Sequence, residues 1–326
     1  MEQRNICYQV GSLLYCPANH TGIVSSLVSE KFGRKFSLAF CLEDTIREDR
    51  VAEAEQILTH SLCLLLKEQK QHDFFLPKIF IRIREPEQMD RLISLLGDAM
   101  SLVTGFILPK FSLENSKQYL DHASRANQGS NHMIYIMPIF ESPLMIPLHS
   151  RYQMLHSLKM DLDSVKDMVL NIRVGGNDLC HSFGFRRHKD EMIYDITPVR
   201  QILSDIVTTF GSDYVVSGPV WEYYRGENWD RGLKREVKHD LLNGFIGKTV
   251  IHPNQISIVN EALQVSKEDF LDACSILDWS PKDSSLVSGN AKGERMNELL
   301  THSNWAYRIK ILADIYGIRN YHPQSL

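Results

Sequence analysis

A chain of 326 residues is long enough for one large α/β domain, and 43% hydrophobic against 23% charged residues is the balance of a soluble globular protein rather than a disordered or membrane-embedded one. The formal charge of −4, from 36 basic and 40 acidic side chains, gives no electrostatic case for nucleic acid, whose phosphates call for a clustered basic surface. Six scattered cysteines without a C-x-x-C pair, no apolar run near the roughly 18–20 residues of a membrane helix, and no charged-then-apolar opening exclude a disulfide framework, a membrane span and a signal peptide, so a cytoplasmic protein is expected.

Runs of β-branched and aromatic residues mark the strands. The first covers residues 11–16 and ends in Pro17-Ala18-Asn19-His20. The second covers 37–42 and closes on Glu43-Asp44-Thr45, with Asp44-Thr45 placed to cap the helical spacing over 47–69. Residues 78–83 (KIFIRI) form the third, ending in Arg84-Glu85-Pro86 before a helix over 87–100. The fourth, 105–108, ends in Pro109-Lys110 before a helix over 113–125; the fifth, 133–140, ends at Glu141. The sixth, 168–174, runs into Gly175-Gly176-Asn177-Asp178. Residues 214–220 fill the seventh slot although Ser217-Gly218-Pro219 interrupts them. The eighth, 248–251 (KTVI), ends in His252-Pro253 ahead of a helical pattern over 255–266.

Eight short apolar runs separated mostly by helical patterns predict a parallel sheet closed into a (β/α)8 TIM barrel over 1–264. A C-terminal helical extension over 265–326 follows, with helices near 267–277 and 295–316 joined by a polar, glycine-containing connector.

Glu43, Asp44, Arg82, Arg84, Lys110, Glu141, Asp178 and His252 all fall at or just past the end of a predicted strand. In a parallel barrel those ends share the face that carries the active site. Glu141 and Asp178 are hard oxygen donors of the kind that hold Mg²⁺, with Mn²⁺ a possible substitute, while waters and substrate complete the shell. The histidines form no H-x-x-x-H or H-E-x-x-H pair, which argues against zinc. Arg82 and Arg84 point to one face of an extended segment. An arginine there either forks onto a carboxylate or enolate oxygen or pairs with Glu43 or Asp44, and the two roles are compatible. Gly175-Gly176 lacks the full spacing of a phosphate loop and is read as a tight turn allowing close ligand approach. His252, Trp221, Tyr223 and Tyr224 suit packing as well as binding, and Asp190-Glu191 suits a solvated turn.

These segments resemble the HpcH/HpaI aldolase and citrate lyase β-subunit superfamily, in its divergent branch of C–C bond lyases of the TIM-barrel fold. The resemblance runs through LLYCPAN, FCLEDTI, IRIRE, GFILPKF, PIFESP, GGNDLCHSFGFRR and ERMNELLTHSNWA, and most specifically GFIGKTVIHPNQI at 244–256. It implies a Mg²⁺-dependent lyase or aldolase acting on a 2-oxo-acid- or acyl-CoA-type carboxylate through a metal-stabilised enolate. Glu141 and Asp178 fall on the metal ligands and Arg82 on the arginine that grips substrate. Glu43 and Asp44 fall on the acidic pair behind that arginine, and Lys110 on the lysine ending the fourth strand. Arg82, Glu43 and Asp44 thus form the expected catalytic group, and Arg82, Lys110, Gly175, Gly176 and His252 the expected substrate contacts.

A small-molecule carboxylate is the expected partner, in a homo-oligomer that is a trimer or a multiple. The chain departs from the family pattern at Asn297-Glu298, near the expected lid aspartate, at Asn19-His20-Thr21, where relatives often carry an arginine, and at Cys41, where an acid is frequent. The first two departures bear on recognition of a CoA thioester. The base is expected from a metal-bound water, His20 or Glu298. The alternatives are a barrel that binds metal and small molecules without lyase chemistry, or a lyase for a sugar- or nucleotide-linked substrate.

Overall fold

The computed structural model describes residues 5–280 and 285–319. Eight parallel strands close a barrel in chain order: β1 (Ser12–Pro17), β2 (Ser37–Cys41), β3 (Lys78–Arg82), β4 (Val103–Leu108), β5 (Tyr135–Phe140), β6 (Ile172–Val174), β7 (Val216–Gly218) and β8 (Phe245–Val250). The architecture is the predicted (β/α)8 TIM barrel. Closure is made by β1 against β8, with Leu13 opposite Thr249. The interrupted seventh run does pair on both sides, and its register shifts between Val216 and Gly218 where it meets β8. Gly247 at this shift has φ +82, and a Cβ there would lie 2.7 Å from the Gly11 carbonyl oxygen, so β8 needs glycine to cross this point.

The helices are α1 (Ile23–Val28), α2 (Val51–Gln71), α3 (Pro86–Leu96), α4 (Ser116–Gln128), α5 (Leu148–Asp163), α6 (Gly176–Phe183), α7 (Thr197–Phe210), α8 (Trp229–Leu242) and α9 (Asn254–Leu263). Asp44-Thr45 does not cap α2, contrary to expectation: a 3-10 turn over Glu48–Arg50 intervenes and Arg50 precedes the helix. The helix expected over 87–100 stops at Leu96, because Gly97 at φ +50 turns the chain into a 3-10 segment. The layer between strands and helices holds the apolar core, where Phe140 stacks on Phe210 at 4.9 Å. The barrel interior is more polar around β6 to β8, where Ser217 Oγ lies 2.8 Å from both Asn171 Oδ1 and the Ile246 carbonyl oxygen and its one hydrogen is shared between them.

The chain forms two compact units, the barrel over Val10–Val259 and a smaller one joining residues up to Gln9 with those from Asn260 onward. In the smaller unit α10 (Lys267–Leu277) and α11 (Leu299–Tyr316) pack through Ala273, Ile276 and Ala306. β9 (Val265–Ser266) pairs with β12 (Ile318–Arg319), and β10 (Val287–Gly289) runs antiparallel to β11 (Met296–Glu298). That ladder is why the helix expected from 295 starts only at Leu299. The Tyr316 hydroxyl donates to the Tyr8 carbonyl at 2.5 Å. Residues 281–284 of the expected connector lie outside the described residues. Among the described residues no helix is long and apolar enough to cross a membrane.

Candidate active site

Arg82, the last residue of β3, is the hub of the rim. Cys41 pairs with Arg82 in register, so the chain leaving β2 delivers Glu43 and Asp44 beside it. Its Nη2 lies 2.8 Å from Glu43 Oε2, 3.0 Å from Asp44 Oδ2 and 3.1 Å from Glu141 Oε1. Burial opposes the charge, yet Glu141, Tyr15 and Glu43 hold the guanidinium well above its ordinary pKa. Nε of Arg82 is buried without a partner. Arg84, two residues on, does a different job: its Nη1 donates to the carbonyls of Leu42, Glu43 and Ile46 at 3.1 to 3.2 Å, pinning the loop after β2.

Lys110 adds two contacts from the end of β4. Its backbone N–H donates to Glu141 Oε1 at 3.0 Å and its Nζ to Glu43 Oε1 at 2.6 Å. Lys110 sits at φ +49, a left-handed conformation uncommon outside glycine, and this turn aims the N–H at Glu141. Burial and the adjoining Asp44 carboxyl push Glu43 up, against the pull of Arg82 and Lys110. Burial also resists ionisation of Asp44, but the Glu43 hydrogen bond and the Arg82 and Lys110 charges outweigh it and hold Asp44 below the usual range.

Glu141 follows β5 and is 3% exposed. Burial, reinforced by the nearby Asp178 charge, pushes its carboxyl up to about 8 although Arg82 pulls the other way. Oε1 is committed to Arg82 and Lys110. Oε2 lies over Gly175, where an added Cβ would come within 2.3 Å of it, so only glycine fits under this carboxylate. The tight turn expected at the two glycines is the start of a helix: Gly175 is the N-cap of α6 and Asp178 lies, half-buried, in its first turn. Gly176 packs elsewhere, since a Cβ there would meet Pro219 Cβ at 2.8 Å.

The donor chemistry fits a hard divalent cation. Among the described residues no group of three or more His, Cys, Asp or Glu side chains forms a complete cage. Two carboxylates of which one is destabilised by the other match a Mg²⁺ site, which takes one or two protein carboxylates and fills the remainder from water and substrate.

His252 stacks on Tyr224 at 4.6 Å with rings 8° from parallel, and its Nδ1 accepts from the Asn254 N–H at 3.2 Å. Trp221 is fully buried under Arg187, a packing role. His20 is exposed past β1. In the smaller unit Asn297 is 1% exposed and Glu298 accepts from the Thr301 hydroxyl. Two residues that the motifs did not single out line the interior: Tyr15, whose ring lies 5.9 Å from the Arg82 guanidinium carbon, and Arg173, 1% exposed. A charged residue in the middle of the apolar run before Gly175 was the available signal for Arg173.

A closed parallel barrel with four carboxylates, an arginine and a lysine converging at the strand ends belongs to the class of α/β barrels that build enzyme sites on that rim. The family described as the C–C bond lyase of the TIM-barrel fold matches residues 4–318, and the chain belongs to it. The mitochondrial citramalyl-CoA lyase of Homo sapiens is 35% identical over 94 residues, which is 29% of this chain and 26% of that protein. The chain thus aligns with about a quarter of the length of the curated relatives it matches. Among solved structures, the CitE protein of Mycobacterium tuberculosis in complex with magnesium, acetoacetate and coenzyme A superposes with a TM-score of 0.61 at 18% identity, covering 94% of this chain and 99% of that one. RipC from Yersinia pestis superposes with a TM-score of 0.53 at 18% identity, covering 78% and 95%. These likenesses show the shared fold.

Proposed function

We propose that the protein is a Mg²⁺-dependent carbon–carbon bond lyase or aldolase acting on a 2-oxo-acid- or acyl-CoA-type carboxylate through an enolate. The observation that carries this reading is Glu141, with Oε1 clamped by Arg82 and Lys110, Oε2 seated over Gly175, and Asp178 close enough to raise its pKa. Glu141 and Asp178 would hold Mg²⁺, or Mn²⁺ in its place. When bound, the cation supplies Lewis-acid stabilisation of the negative charge that develops as the bond breaks. Arg82 grips the substrate carboxylate or enolate oxygen through its unpartnered Nε, a charge-assisted donor in a water-poor site. Glu43 and Asp44 fix the orientation of Arg82, and the Lys110 ammonium, 55% exposed, draws an anionic substrate to the mouth. The acids of the clamp each accept from a cation, so we assign the proton at the substrate carbon to a group outside it, His20 on the loop after β1.

Use of a CoA thioester is supported by the ligands named for the Mycobacterium tuberculosis CitE complex and by the citramalyl-CoA lyases. We propose that the barrel over Val10–Val259 is the catalytic body. We further propose a cytoplasmic location, on the scatter of the six cysteines along the chain without a C-x-x-C pair. We propose a homo-oligomer, a trimer or multiple, with the exposed Leu148 and Tyr152, one turn apart on α5, as apolar contact residues, which light scattering would size.

The second reading, ligand binding without bond cleavage, is favoured by Asn297, a buried amide near the expected lid aspartate. Deuterium exchange at the pyruvate methyl, followed by proton NMR in D₂O, separates the two. Lyase chemistry requires exchange with Mg²⁺ that stops with EDTA and in Glu141→Ala; binding alone gives none.

A further inference from the structure

Five cationic side chains are buried among the described residues: Arg82, Arg151, Arg173, Arg187 and Lys248. Four have carboxylate partners. Arg82 has the rim acids, Arg151 has Asp205 at 2.8 Å, Arg187 has Glu236, and Lys248 has Glu236 and Asp240 at 2.9 and 2.7 Å. Arg173 has no ion pair among the described residues. Its Nη2 donates to Thr249 Oγ1 at 2.6 Å, the Tyr15 phenol lies beside it, and its Nε and Nη1 are buried without an acceptor. Burial pushes the Tyr15 phenol up, so Tyr15 stays neutral and does not balance the charge.

The place of this orphan is informative. Arg173 on β6 is in register with Ile139 on β5, two residues before Glu141, and so projects into the barrel one inward-facing position below the carboxylate pair. Arg82 and Arg173 both lie beside Tyr15, and the Arg82 charge bears on Arg173. A compound held at the rim by Arg82 and extending inward would therefore meet a second, unbalanced cation. A water would supply acceptors to Nε and Nη1 but no charge, and a buried unpaired charge is far costlier than a paired one. An anionic group supplies both.

We propose that Arg173 is a specificity-determining residue that receives a second carboxylate of the substrate, so that the site selects short dicarboxylates over monocarboxylates. This rests on the reading of Glu141 and Asp178 as the metal and substrate site. The test is isothermal titration of the full chain with malate and with lactate, 2-hydroxy acids that differ by one carboxylate, each with Mg²⁺ and with EDTA. Wild type should bind malate about tenfold or more tightly than lactate, the margin of one charge-assisted contact. Arg173→Met should bring malate down to the lactate affinity while lactate is unchanged, and Arg173→Lys should cut the ratio part-way.

Equal affinities in wild type overturn the proposal, as does an undiminished malate preference in Arg173→Met. If circular dichroism shows Arg173→Met unfolded, the wild-type ratio and Arg173→Lys decide: a ratio unchanged in Arg173→Lys overturns the proposal. Failure of the parent reading looks different, because then neither acid binds wild type in a Mg²⁺-dependent way, and the proposal falls with it.

Discussion

Glu141 carries opposing demands at one side chain. It is buried and repelled by Asp178, yet it is held by Arg82 and by the Lys110 N–H, and either a proton or a cation beside Oε2 relieves the remaining repulsion. Gly175→Ala tests this geometry, because the added methyl would meet Oε2 at 2.3 Å. It should weaken Mg²⁺ binding about tenfold or more by calorimetry while the circular dichroism spectrum stays unchanged. The pH dependence follows from the same residue. With the metal-free carboxyl raised to about 8, the folded protein binds more protons than the unfolded chain from the ordinary carboxylate range up to that value. The stability contributed by this group is therefore present at low pH and lost as pH rises through about 8. The metal-free Tm should fall between about pH 5.5 and about pH 8.5, and Glu141→Gln should flatten that fall. Mg²⁺ should bind more tightly toward the upper end of the range, since it competes with the proton; affinity independent of pH would contradict this. Both carboxylates were readable in the sequence because each follows an apolar run. Arg173 was not, because the side of the strand it faces depends on a register that only the closed barrel fixes.

At the scale of elements, β8 is tied to α8 by charge. Lys248 Nζ reaches Glu236 and Asp240, the Ile193 N–H donates to Glu236 at 2.8 Å, and the Tyr194 hydroxyl donates to Asp240 at 2.6 Å. Arg187, on the segment that follows the Asp178 helix, joins Glu236 and the Val220 carbonyl. Lys248→Met would leave Asp240 without its cation and Glu236 with Arg187 alone, and should cost about 3–5 kcal/mol in urea unfolding. A loss under about 1 kcal/mol would mean that the acids take up protons at little cost. This network also explains why α8 was not singled out from the sequence: Glu236 and Asp240 occupy its buried face, so the polar pattern of WDRGLKREVKHDLL conceals which side packs. α6 escaped for another reason, since a helix that begins directly at two glycines reads as a turn. The strands were legible because apolar runs of four to eight residues separated by turn signals admit few alternatives.

For the whole molecule, the barrel gathers onto one rim residues that are more than a hundred positions apart in the chain, from Glu43 to Asp178. The count of eight strands came from pattern alone, and closure of β1 on β8 bears it out. The grouping of the first described residues with those from Asn260 onward had no local signal, because it depends on contacts between opposite ends of the chain, such as Tyr316 with Tyr8.

The central claim is that Glu141 and Asp178 together hold one divalent cation. A titration of the protein with Mn²⁺, read by electron paramagnetic resonance, tests it most directly. Wild type should show a single Mn²⁺ site that Mg²⁺ displaces and that is lost in both Glu141→Gln and Asp178→Asn, with the fold of each variant intact. Undiminished Mn²⁺ binding in both variants would contradict it.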